Sequence, residues 1–244
     1  MKKYNQFINE KKVSYNKTLS INFWENDEFD SRIEKKLLKI ARDFYKDLET
    51  DAEIQDIILT GSLANYNYTS LSDLDVHIII NFEDVNEDVE LVKKAFDGVR
   101  FIWNLRHNVV IRGHDVELYV QDIKEEHIAS GTYSLLNHKW VTMPKFNPPD
   151  VETSDINVKY NARAYDIDEL YKLSNSDITP DEAETYYNKS KELKNKIVKS
   201  RKEGLSEKGE FSIENLVFKK LRNEGKIEKL IEIVSKFYDM IYSQ

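Results

Sequence analysis

Two aspartates one residue apart, Asp73 and Asp75, open the apolar run LDVHIII at Leu74 to Ile80. In a strand, residues i and i+2 share a face about 6.5–7 Å apart. Asp73 and Asp75 therefore point one way while Leu74 and Val76 point into a core. Carboxylates crowded on one face repel unless a positive charge sits between them, and hard divalent cations with oxygen ligands supply that charge. A third carboxylate, Glu117, stands between Val116 and Leu118 in VELYV. If this strand lies beside 74–80, Glu117 joins the pair. Asp115 has the same parity and competes for the role. His114 precedes Asp115 where an apolar residue is expected, so Glu117 is preferred. Three such carboxylates can hold two Mg²⁺ or Mn²⁺ ions roughly 3.5–4 Å apart, the geometry of in-line phosphoryl displacement. Gly61 and Ser62, separated from Asp73 by ten residues, supply the complement. Glycine lets a phosphate approach the backbone, and the Ser62 hydroxyl adds a donor.

The elements that must position these residues can be read from periodicity. Ile54 to Thr60 is a buried strand ending at Gly61. Phe29, Ile33, Leu37, Ile40, Phe44 and Leu48 recur at helical spacing, which predicts a helix from Asn26 with Asn26 or Asp27 as its cap. A second helix is expected over 87–106. Val109 to Arg112 and Val116 to Asp122 read as a hairpin turning at Gly113-His114, and TYSLL and KWV as a smaller one about Asn137-His138. The segment MPKFNPPD, 143–150, holds three of the four prolines and marks a domain boundary. Beyond it, helices are expected near 154–174, 180–203, 212–223 and 226–242. Thr179-Pro180 starts the second of these, and Gly204 and Gly225 stand where C-terminal caps belong. The expected organisation is an N-terminal extension (1–25), an α/β catalytic domain with a twisted mixed sheet (26–146) and a helical domain (150–244).

The order IILTGS, then SDLDV, then VELYV resembles the polymerase-β-like nucleotidyltransferase superfamily, and its Ser-Asp-x-Asp form resembles the small members of antibiotic modification and toxin–antitoxin systems. The resemblance spans roughly residues 29–122. It implies a nucleotidyltransferase-type mixed β-sheet with flanking helices, followed by helices, and a site in the cleft between the two. It implies transfer of an NMP from an NTP, ATP the expected one, to an acceptor hydroxyl with release of pyrophosphate. Asp73 and Asp75 would bind both metal ions. Glu117 would bind the catalytic one and activate the acceptor, and Gly61 and Ser62 would hold the triphosphate. The acceptor is left open among an RNA 3′ end, a small molecule such as an aminoglycoside, and a protein side chain. Glu117 departs from the commoner Asp, and Asn65 stands where many small members place Arg. The rival reading is a non-catalytic nucleotide- or RNA-binding module on a degenerate fold of this type. The intact Asp73, Asp75 and Glu117 weigh against it.

Lys159 and Arg163, at i and i+4 on one helix, are the candidates for a basic clamp on the triphosphate, as such enzymes often draw one from the helical part. Residues 189–202 carry seven Lys or Arg against one acid, Glu192, in a chain of net charge -8. The run is either a track for an RNA backbone or a solvated face. Zero cysteines exclude a thiolate metal site, a disulfide scaffold and a Cys nucleophile. No histidine spacing suggests a metal site, and no nucleophile elbow supports a Ser-His-Asp hydrolase. No apolar run approaches membrane length and the start is too polar for a secretory signal, which predicts a cytoplasmic protein. The opening MKKYNQFINE also resembles the head-targeting peptide of tailed-phage internal proteins, which implies cleavage after Glu10 and a phage protein packaged in the virion and injected into a host.

Overall fold

The computed structural model of the protein describes residues 16–125, 129–146 and 152–243. The proposed cleavage site after Glu10 lies outside them. The chain divides into two compact units, one within 15–147 and the other within 148–244. The fold is α+β: a six-stranded mixed sheet with flanking helices, then a C-terminal helical region. No helix among the described residues is long and apolar enough to cross a membrane.

The first unit begins with a small hairpin, β1 (Trp24–Glu25) and β2 (Glu28–Phe29). Asn26 and Asp27 both take positive φ, 51° and 63°, between the paired Trp24 and Phe29. That is the two-residue hairpin turn that favours Asn and Asp. The expected helix therefore starts later, as α1 (Ser31–Asp47), with the Asp30 side chain accepting from Arg32 N–H. Leu19, Phe23 and Trp24, within the expected N-terminal extension, are buried in the same core as the sheet. Their irregular spacing carries no periodic signal.

The sheet comprises β3 (Asp56–Thr60), β4 (Leu74–Ile80), β5 (Val110–Ile111), β6 (His114–Asp122), β7 (Thr132–Ser134) and β8 (Lys139–Thr142), in the order β5-β6-β4-β3-β7-β8. Only β4 and β6 run parallel. Helix α2 (Val89–Arg106) provides the crossover between them, as a parallel pair demands. The β5–β6 turn falls at Arg112-Gly113, with φ of 52° and 83°, one residue before the expected place. His114 is thereby drawn into β6 and buried. Ile57, Leu59, Val76, Ile78, Val116 and Leu118 line one sheet face, in one core with Leu37 and Phe44 of α1 and Phe96 and Trp103 of α2. Asp75, His77, Glu117 and Tyr119 alternate with them and lie on the opposite face.

The second unit comprises α3 (Thr153–Leu173), α4 (Pro180–Lys208), α5 (Ile213–Asn223) and α6 (Lys226–Tyr242), packed about Ile167, Leu221, Leu230, Ile233 and Phe237. Thr179 caps α4 through a complete capping box with Glu182, and Pro180 opens the helix. Gly204 does not end α4. The helix runs on to Lys208, and Gly209, at φ 70°, follows it. Gly204 is instead a contact glycine: a Cβ there would lie 2.8 Å from both the Glu214 Cβ and the Ser212 Oγ. Gly204→Ala is expected to destabilise the protein by about 1–3 kcal/mol through this overpacking, although alanine is the better helix former. A chemical melt reads the sign, and a stabilised variant would contradict the packing role.

Candidate active site

The parallel ladder of β4 and β6 pairs Leu74 with Val116, Asp75 with Glu117, and His77 with Tyr119. Because register partners share a face, the carboxylates of Asp75 and Glu117 stand side by side on strands about 4.8 Å apart. Both residues are half-buried. On the other side of β4, Thr60 at the end of β3 is the partner of Asp75. Asp73 is half-buried and immediately precedes β4. Asp115 is exposed, and its register partner is Val110 of the short edge strand β5.

Gly61 closes the group from the β3 side. Its φ of 75° and ψ of -159° belong to a region that side-chain-bearing residues scarcely enter. A Cβ at Gly61 would lie 1.9 Å from Oδ2 of Asp75, so the carboxylate packs directly against the glycine backbone. The chain then makes one turn of 3₁₀ helix, Ser62–Ala64, whose Leu63 and Ala64 are fully buried. Trp24 Nε1 donates to the Leu63 carbonyl at 2.8 Å. Gly131 approaches the Ala64 carbonyl so closely that a Cβ there would meet its oxygen at 1.9 Å. Asn65 is buried, its amide donating to Ser130 Oγ at 2.6 Å and its carbonyl accepting from Tyr66 N–H at 2.7 Å. Asn65 thus fastens the turn to the loop before β7.

Ser62 Oγ donates to Ser72 Oγ at 2.8 Å, which joins the Gly-Ser turn to the residue before Asp73. The Ser72 carbonyl accepts from His114 Nδ1 at 2.6 Å. A carbonyl cannot donate, so Nδ1 carries the proton. His114, unexplained in a strand position suited to an apolar residue, is a tether that holds the Asp73 segment to β6. Its only sequence signal was that it broke the apolar pattern.

The Tyr119 hydroxyl donates to Oε2 of Glu117. Burial first, then the charges of Asp75 and Glu117, hold its acidity far below that of an ordinary phenol, and Arg100 only partly opposes them. Tyr119 therefore remains a protonated donor. Sequence reasoning did not single it out, because a tyrosine in an alternating strand gives no signal of its partner.

Asp75 and Glu117 are the residues present that suit a divalent metal. Mg²⁺ usually keeps several waters and takes one or two carboxylates, with substrate phosphates completing its shell. A pair of hard oxygen donors beside a glycine turn fits that demand. Among the described residues, no group of three His, Cys, Asp or Glu is arranged to hold an ion.

In the helical unit, Lys159 is bound to Glu214 at 2.6 Å. Arg163 lines an open cavity of about 350 Å³ between α3 and α4 with Asp166, Glu169, Lys189, Glu192 and Lys196. The basic run lies on α4. Arg201 is spent on Asn215, at 3.2 Å, and on the Phe218 ring, while Lys199 approaches Glu203 at 3.8 Å. Lys191 and Lys194 are exposed one turn apart.

No family model matches this chain, and no curated protein matches it. Among solved structures it is similar to the STING-associated CdnE c-di-GMP synthase from Capnocytophaga granulosa, with 14% identity over 88% of this chain and 82% of that one and a TM-score of 0.21. A likeness this slight assigns neither fold nor function.

Proposed function

We propose that the protein is a metal-dependent nucleotidyltransferase of the polymerase-β-like kind. The observation that carries the reading is the register pairing of Asp75 with Glu117, with the Asp75 carboxylate seated on Gly61. Asp75 and Glu117 would hold Mg²⁺ or Mn²⁺, with Asp73 and a second ion joining when the NTP brings its phosphates. Bound metal would neutralise charge on the reacting α-phosphate and on the leaving pyrophosphate. Glu117 would accept the proton of the acceptor hydroxyl as that oxygen forms its bond to the α-phosphorus and the bond to the pyrophosphate oxygen breaks. Gly61 and Ser62 would hold the triphosphate, Gly61 through its backbone beside the Asp75 carboxylate and Ser62 by exchanging its hydrogen bond to Ser72 for one to phosphate. Lys159 and Arg163 remain the proposed basic residues for the triphosphate; Lys159 would have to exchange Glu214 for it.

The rival reading is nucleotide binding without turnover. Incubation of the protein with each α-labelled NTP and Mg²⁺, against total RNA, total protein and aminoglycosides, separates the two. Label transfer to one acceptor class with stoichiometric pyrophosphate is the expected result. Nucleotide binding with neither product would leave only the rival reading. If RNA is the labelled class, charge reversal at Lys191 and Lys194 should raise its KM, and affinity should fall with salt by about 0.7 log units per log unit for each phosphate contacted.

A further inference from the structure

Tyr119 lies two residues beyond Glu117 on the same face of β6, and its ring is gripped from both sides of that strand. From β4, its register partner His77 stacks on it, with centroids 4.7 Å apart and planes 24° from parallel. His77 is itself held, its Nδ1 hydrogen-bonded to Oε1 of Gln121 at 2.8 Å. From α2, the Arg100 guanidinium lies over the ring, 4.9 Å from its centroid. Helix α2 is pinned to this edge of β6 by Asn104, one turn further on. Its side chain donates to the Leu118 carbonyl at 3.3 Å and accepts from Leu118 N–H at 3.4 Å. A cation and an imidazole on one phenol make a directed arrangement, and the ring so held aims its hydroxyl at Oε2 of Glu117.

Glu117 needs such a partner. A glutamate has more rotatable bonds than an aspartate, so a carboxylate placed on a strand by its backbone alone is poorly oriented. Hydrogen bonds to the second oxygen of a ligating carboxylate are the common remedy, and their loss weakens metal binding by about 10–100-fold. We propose that Tyr119 is a positioning residue: clamped between His77 and Arg100, it fixes the Glu117 carboxylate through Oε2 and leaves Oε1 as the donor to a divalent cation. The inference rests on the reading of Asp75 and Glu117 as metal ligands.

The test is Mn²⁺ binding by the full chain, without nucleotide, read from the paramagnetic resonance signal of the free ion. Tyr119→Phe keeps the ring and deletes the hydroxyl. It should weaken Mn²⁺ binding by about 10–100-fold with an unchanged thermal midpoint. Glu117→Gln should weaken it at least as much, and the double variant no further than Glu117→Gln alone, because Tyr119 acts only through Glu117. Mn²⁺ binding by Tyr119→Phe as tight as wild type or tighter would overturn the inference, and so would additive losses in the double variant; both leave the metal site standing. A wild-type chain that takes up no Mn²⁺ overturns the metal site and the inference together. Arg100→Met loosens the clamp and keeps the hydroxyl. It should bind Mn²⁺ several-fold more weakly, and unchanged binding would also overturn the inference, even if Tyr119→Phe failed to fold.

Discussion

Asp75→Asn is expected to remove nucleotidyl transfer while leaving the protein at least as stable as the wild type. The substitution keeps the shape that packs against Gly61 and deletes one of two like charges in adjacent register. Like charges directly opposed across strands destabilise a sheet by up to about 1 kcal/mol, so the melting point should stay level or rise. Activity should move the other way. A metal ligand is worth several kcal/mol of transition-state stabilisation, and about 4 kcal/mol is a thousand-fold in rate. A stabilised, inactive variant is the signature of a residue kept for chemistry at a cost to the fold. Turnover and thermal unfolding measured on one sample decide it. An Asp75→Asn protein with native turnover would contradict the assignment, and one that is inactive because it is unfolded would contradict the stability argument.

Gly61→Ala is expected to cost both stability and activity. Backbone at φ 75° and ψ -159° strains any residue with a Cβ by about 1–3 kcal/mol. The added methyl would also stand 1.9 Å from Oδ2 and 2.8 Å from Cγ of Asp75, so either the turn or the carboxylate must move. Transfer should fall by more than about 100-fold, since roughly 1 Å of misplacement is enough for that loss. Gly113→Ala is the control. Gly113 also has positive φ, 83°, but its Cβ would meet nothing within 4 Å. It should lose stability through backbone strain alone and keep its activity. Equal activity in the two variants would show that the Gly61–Asp75 contact has no part in the site.

The sheet faces were legible because LDVHIII and VELYV alternate: once Leu74, Val76, Val116 and Leu118 are buried, Asp75 and Glu117 have only the opposite face to occupy. Their direct opposition was not legible, because it depends on β4 and β6 being neighbours and parallel, which α2 arranges. Gly61 was visible as a glycine after a strand, but the carboxylate that excludes its Cβ comes from another strand. Asn26-Asp27 was misread as a helix cap because the same short polar side chains serve caps and tight hairpin turns. Gly204 was misread as a helix end because a glycine that ends a helix and one that admits a neighbouring chain look alike in sequence. The grip on Tyr119 joins residues from β4, β6 and α2 and left no trace in any local pattern.

The proposed function stands on Asp75 and Glu117, rather than Asp115, forming the metal and NTP site. A crystal of the full chain soaked with Mn²⁺ and a non-hydrolysable NTP tests it most directly, since the anomalous signal of manganese locates the ion without reference to activity. The expected result is a peak with carboxylate oxygens of Asp75 and Glu117 at roughly 2.0–2.6 Å, the triphosphate beside Gly61 and Ser62, and Asp115 in solvent. A peak bound by Asp115 with Glu117 turned away, or an NTP bound far from Gly61, would contradict it.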